Sequence, residues 1–265
     1  MAGYNGNAPL GANLAYTRFL FLVLADEDEA TVSRVRSAGA QVARGFFNDF
    51  DADGSRDIQP CETIQFLVTD RELTPGDGIG AARFAIQVSA SYRPRLVEFE
   101  CELKRRLGSS AGIRSIDGAE RPPRYSSAEM HAYAYKPAMA RTSGRAASNA
   151  IILPMSKTAD WWQKATLERH GYFYPHHDAA TGGQVKGHAR AAEAGIPTIF
   201  RRLYHNPDGY GRPDEFDFVT YFECADKHLS TFDRIHAALR DAKQNPEWQY
   251  VQEGPEWRGR RVFRW

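Results

Sequence analysis

The chain has 265 residues, 42% of them hydrophobic and 12% aromatic, which is enough for one large core or two of ordinary domain size and excludes a disordered polymer. Its 34 Lys and Arg against 33 Asp and Glu leave a formal net charge of +1, so no overall field recruits nucleic acid or an acidic membrane. The cysteines Cys61, Cys101 and Cys224 are odd in number and lack CxxC spacing, so buried free thiols are expected, not a zinc site or a disulfide frame.

No stretch approaches the roughly 20 apolar residues of a membrane span. The opening MAGYNGNAPLGANLAY has neither the basic start nor the apolar run of a secretory signal. A cytoplasmic location is expected, or a periplasmic one if a leader has been removed. Residues 1–16, rich in Gly, Asn and Ala, read as a flexible tail.

Phe19 to Leu24 is a short apolar run of strand formers, and Thr31 to Phe50 places Val32, Val35, Ala38, Val42, Phe46 and Phe50 at helical spacing. Thr63 to Thr69 and Arg83 to Ser89 read as strands around a Pro/Gly loop. Arg95 to Leu107 reads as a helix and Glu129 to Tyr135 as a further strand. The resulting order is βαββαβ over a module at 17–138, followed by a basic, small-residue linker at 139–148. From 149 to 265 the order restarts. Ala150 to Leu153 reads as a strand and Trp161 to His170 as a helix, with a second helix ahead of His188. Thr198 to His205 and Phe216 to Glu223 read as paired strands, His228 to Lys243 as a helix, and Trp248 to Gln252 as the last strand. Two α+β modules, each with helices on one face of an antiparallel sheet, can close on each other as a barrel.

Three tracts imitate binding motifs. DADGSRDIQPCE, from Asp51 to Glu62, carries oxygen donors at calcium-loop positions, but Arg56 stands where the sharp turn needs glycine and a strand follows. Gly76, Gly78 and Gly80 precede no lysine, serine or helix start at phosphate-loop spacing, so they read as a hairpin or loop. His170, His176 and His177 match no metal-ligand spacing and read as a surface loop or a lid.

A different set carries chemistry. Lys157, Trp161 and Trp162 form K-x-x-x-W-W where a strand gives way to a helix, and an ammonium and indole N–H groups are apt donors to a carboxylate. His188 lies 31 positions after Lys157 and 13 before Arg201. A histidine can hold a haem iron from one face while an arginine on the following strand faces the exchangeable site on the other. Taken singly, the tryptophans read as core and His188 as a helix or core histidine.

In order, PMSKTADWW, the His188-to-Arg201 spacing, FRRLYH, EFDFVTYFE and EWQYV resemble the chlorite dismutase family over Asn149 to Gly259. The N-terminal half resembles it only in layout. The resemblance implies two ferredoxin-like modules forming an α+β barrel, a haem b (iron protoporphyrin IX) in the C-terminal module, a structural N-terminal module, and homo-oligomers, commonly pentamers. On the matching positions His188 would be the axial ligand of the iron. Arg201 would be the mobile distal residue that steers a small anionic substrate and holds the departing oxyanion. Lys157, Trp161 and Trp162 would line the propionate side.

The family also supplies a glutamate to the second ring nitrogen of the ligand. Glu247 fits by its neighbours in EW-x-YV, whereas a gapless count from Phe232 reaches Gln244; Glu247 is favoured. The stretch between Trp162 and His188, with GYFYPHHDAATGGQ, is longer than in that family. The expected activity is conversion of chlorite to chloride and dioxygen. The rivals are a peroxidase-like or biosynthetic haem enzyme on a small organic or N–O substrate, a coprohaem decarboxylase, against which Arg201 counts, and a non-enzymatic haem carrier.

Overall fold

A computed structural model describes residues 15–46, 63–74, 76–120, 146–177, 182–262 and 265. The N-terminal half opens with strand β1 (Tyr16–Leu24) and helix α1 (Glu29–Phe46). The Asp28 carboxylate accepts the Thr31 N–H at 2.6 Å and caps the helix. Val35, Ala38 and Val42 form its buried stripe. Strands β2 (Thr63–Thr69) and β3 (Phe84–Ala90) follow, then helix α2 (Arg93–Leu107), which buries Leu96, Phe99, Leu103 and Leu107, and strand β4 (Ala111–Glu120).

The second half runs β5 (Asn149–Lys157), α3 (Ala159–Gln163), α4 (Thr166–Gly171), β6 (His176–His177), β7 (Gln184–Val185) and α5 (Gly187–Ala192). It continues with β8 (Phe200–His205), β9 (Phe218–Cys224), α6 (Leu229–Arg240), β10 (Val251–Glu253) and β11 (Trp257–Val262).

The strand order is β2-β3-β1-β4 in the first half and β8-β9-β5-β11 in the second. Antiparallel pairing of β11 with β2 and of β4 with β8 joins the halves into a closed ring, and β10 lies against the end of β5. The period-2 alternation of β1 serves two cores. Leu20 and Leu22 pack with α1 and α2, while Phe19 and Phe21 join Ile152, Val219 and Trp257 inside the barrel. This is an α+β barrel with outer helices, as expected.

The barrel interior also holds charge. Glu223 and Arg261 pair at 3.0 Å with side chains 1% and 2% exposed. Gln65 and Tyr221 donate to the same carboxylate at 2.9 and 2.8 Å. These residues come from β2, β9 and β11, so the network ties the halves together, and its members compensate charges that would otherwise be costly to bury.

Burial pushes the Tyr204 and Tyr221 phenols up, and the adjoining Glu223 carboxylate acts in the same direction on Tyr221. A folded pKa above the unfolded value, about 10, contributes stability that is fully present below that pH and lost as pH rises past it. Stability to urea should therefore fall from about pH 10 upward. Tyr221→Phe should flatten that fall while costing about 1 kcal/mol at neutral pH; an unchanged alkaline slope would count against this source.

Several boundaries differ from those read in the sequence. The fourth strand is Ala111–Glu120; Glu129 to Tyr135, where it was expected, lies outside the described residues, as do the tract 51–62, Cys61, the tail to residue 14 and 139–145 of the linker. The glycines of β4 disguise it as a loop. Gly118 is needed there because a Cβ would sit 2.4 Å from the Tyr204 Cβ where β8 docks. The expected helix from Trp161 to His170 is two short helices, since Lys164 and Ala165 are extended. The last strand, β11, is Arg-rich and was not expected at all. Cys224 is buried, but Cys101 is exposed, on the solvent side of α2. No described helix is long and apolar enough to cross a membrane.

Candidate functional site

The outer face of the C-terminal sheet does not pack fully against its helices. Alternation along β5 sends Ala150 and Ile152 into the barrel and Leu153, Met155 and Lys157 outward. On β8 the outward residues include Arg201 and Leu203. Opposing them are α5, the turn that follows it, and α6, leaving a cleft that opens to solvent at its mouth. Leu153, Met155, Ile199, Phe222, Phe232 and Leu239 make its walls apolar.

His188 is the second residue of α5, and its ring enters this cleft. A helix was expected ahead of it; instead the chain arrives through the short β6–β7 pair. The Nδ1 atom of His188 lies 2.8 Å from Glu247 Oε2, while Nε2 is buried with no hydrogen-bond partner among the described residues. Buried polar atoms are rarely left so. An imidazole oriented through Nδ1 with Nε2 presented to an apolar slot is the donor arrangement that suits an iron porphyrin. By that test the residues present fit a haem.

Glu247 sits on the turn Pro246–Tyr250 and is 4% exposed. Its other oxygen accepts the Lys157 ammonium at 2.5 Å. Burial raises its pKa, but the adjoining Lys157 ammonium and His188, with their hydrogen bonds, lower it further, to about 2. The carboxylate is therefore ionised at neutral pH and accepts from both neighbours. Among the described residues it is the backbone carbonyl of Gln244, not its side chain, that contacts this region, accepting from Lys186 and Gly187.

The three residues expected on the propionate side separate here. Lys157 lines the cleft, yet its ammonium is engaged by Glu247 and lies 4.3 Å from the Trp161 ring centre. Trp162 turns away, stacking on Tyr210 at 4.4 Å and donating its N–H to Asp217 Oδ2 at 3.1 Å. Asp217 also accepts the Lys157 and Gly211 backbone N–H groups, fixing the strand end. Trp161 is fully buried, and its indole N–H has no partner among the described residues.

Arg201 and His188 line the same cleft from its sheet and helix walls. His236, not singled out in the sequence, also lines it; burial lowers its pKa, so it is neutral at pH 7. The i, i+3, i+4, i+7 stripe Phe232, Ile235, His236 and Leu239 could have revealed it. His170 and His176 bond to Tyr174 instead, and Gly78 and Gly80 form a short 3-10 turn between β2 and β3.

No protein-family model matches the chain. Among solved structures it is similar to chlorite dismutase from Candidatus Nitrospira defluvii in complex with imidazole, at 20% identity and a TM-score of 0.63, covering 95% of this chain and 92% of that one. A variant of that enzyme aligns with a TM-score of 0.64 at 20% identity over 93% and 91%. A second protein bearing a chlorite dismutase name gives 0.64 at 14% identity over 94% and 95%. The chain has the chlorite dismutase fold over nearly its whole length.

Proposed function

We propose that this chlorite dismutase fold holds haem b in the C-terminal cleft and acts as a haem-dependent oxidoreductase that converts chlorite to chloride and dioxygen. The observation that carries the reading is His188, with Nδ1 tied to a buried carboxylate and Nε2 unpaired in an apolar cleft that Arg201 also lines. When bound, haem iron supplies the redox chemistry that relocates oxygen between chlorine and a new O–O bond. One chlorite yields one chloride and one dioxygen, so the reaction balances without a further oxidant, reductant or proton.

The chain's own residues position and hold charge. Glu247, ionised at neutral pH, keeps the Nδ1 proton on His188 and makes the imidazole a stronger electron donor. Lys157 balances that carboxylate, since an unpaired buried charge would be costly. Arg201 offers a permanent positive charge and several donors to an oxyanion in a slot whose apolar walls weaken screening. Of the three residues expected beside the propionates, Lys157 lines the cleft, while Trp161 is buried beneath it with an indole N–H that has no partner among the described residues.

The apolar lining of the cleft, with Phe173 from the long segment before His188 in its wall, favours a second reading: peroxide-dependent oxidation of a small organic or N–O substrate at the same haem. Dioxygen release from chlorite, followed on an oxygen electrode with protein confirmed to be haem-loaded, separates the two. A rapid burst is expected; no burst from loaded protein would move the assignment to the second reading.

A further inference from the structure

The helix that carries His188 begins in an unusual way. The first N–H groups of a helix need partners from outside it, and α5 has no side-chain cap. Backbone carbonyls take that part. His188 N–H donates to Tyr172 O and Ala189 N–H to Phe173 O, both at 3.2 Å. Lys186 and Gly187 N–H donate to Gln244 O at 3.1 and 3.0 Å. One carbonyl, three residues before Glu247, thus anchors the start of the ligand helix to the chain that leads into the Pro246–Tyr250 turn, which bears the ligand's carboxylate partner.

Gly187 makes this docking possible. Its φ is +67°, and a Cβ there would lie 2.6 Å from Tyr174 O and 2.8 Å from Tyr174 C. Those atoms are backbone and cannot rotate aside. Phe173, 3% exposed, lays its ring 5.3 Å from the His188 imidazole on the other side of the same contact. The start of the helix that carries His188 is therefore set by Tyr172–Tyr174 and Gly187, in the stretch between Trp162 and His188, and by Gln244, while Glu247 holds the ring itself through Nδ1.

We propose that the Tyr172–Tyr174 turn, Gly187 and the Gln244 carbonyl form a positioning device that sets the angle of the His188 imidazole against Glu247 and so tunes its strength as a ligand. This rests on the reading of His188 as the haem ligand. Hydrogen bonds weaken steeply with misalignment, so a small tilt of α5 weakens the Nδ1–Glu247 contact and makes the imidazole a poorer donor.

The test compares Gly187→Ala with Gly171→Ala in the full-length haem-loaded protein. Gly171 lies in the same stretch, but a Cβ there meets nothing within 4 Å. Gly187→Ala should lower the iron–imidazole stretching frequency of the ferrous protein, raise the midpoint potential and weaken haem binding by about 10-fold; Gly171→Ala should match the parent in all of these. Should Gly187→Ala fail to fold, Phe173→Leu, which keeps apolar bulk but removes the ring, should shift frequency and potential in the same direction by less. Parental values in a folded Gly187→Ala, or in Phe173→Leu if that is the variant measured, overturn the proposal and leave the haem reading intact. A parent protein that binds no haem overturns both.

Discussion

His188→Ala is expected to abolish stable haem binding and, with it, dioxygen release from chlorite. The loss should exceed the roughly 10–100-fold that removal of an outer partner of a metal ligand costs, because the donor atom itself goes. Nε2 is a buried atom in the cleft that lacks a partner among the described residues, so its removal would take away the donor that the haem reading assigns to the iron. Glu247 would keep Lys157 as a partner, so the variant should stay folded, and added imidazole should restore part of the haem spectrum. Haem retained with an unaltered spectrum would refute the ligand assignment and point to His236, the other imidazole in the lining.

Arg201→Ala should behave differently: haem remains, while the rate of dioxygen release falls by roughly 100-fold. Loss of one preorganised donor at a developing oxyanion typically costs about 10²–10³, and the isolated Lys–carboxylate arrangement behind His188 cannot replace a charge on the sheet wall. Arg201→Lys should keep the charge but lose the planar, multi-donor geometry, and so fall between the two. The working lifetime of the enzyme should shorten as well, since an oxyanion no longer held can escape and damage the protein. Unchanged yield and durability in Arg201→Ala would remove this residue from the mechanism.

Lys157, His188, Arg201 and Glu247 line one cleft; in the sequence, spacing and residue type mark Lys157, His188 and Arg201, and the family resemblance adds Glu247 with Gln244 as its rival. Trp161 and Trp162 were marked too, but their partners were not predictable: neighbouring residues on a short helix point in different directions, one under Lys157 and one onto Tyr210 and Asp217. The choice between Gln244 and Glu247 was equally closed to counting. Both reach the start of the helix that carries His188, Gln244 with a backbone oxygen at Lys186 and Gly187 and Glu247 with a carboxylate at the His188 ring, because they lie three residues apart in the chain.

The sequence by itself determined the α+β class and most elements of each half, because hydrophobic period is a local property; the residues proposed to carry the chemistry were marked by residue type together with the family resemblance. Closure of the barrel belonged to the tertiary structure. The seams are made by β4, whose Gly118 yields to Tyr204, and by the arginine-rich β11, whose Arg261 finds Glu223 only inside the closed ring. Tertiary structure alone also decided where Lys157 spends its charge. A buried carboxylate needs a cation nearby more than an exposed ligand edge does, and which cation lies within reach depends on how β5 and the Pro246–Tyr250 turn come together, some 90 residues apart in the chain.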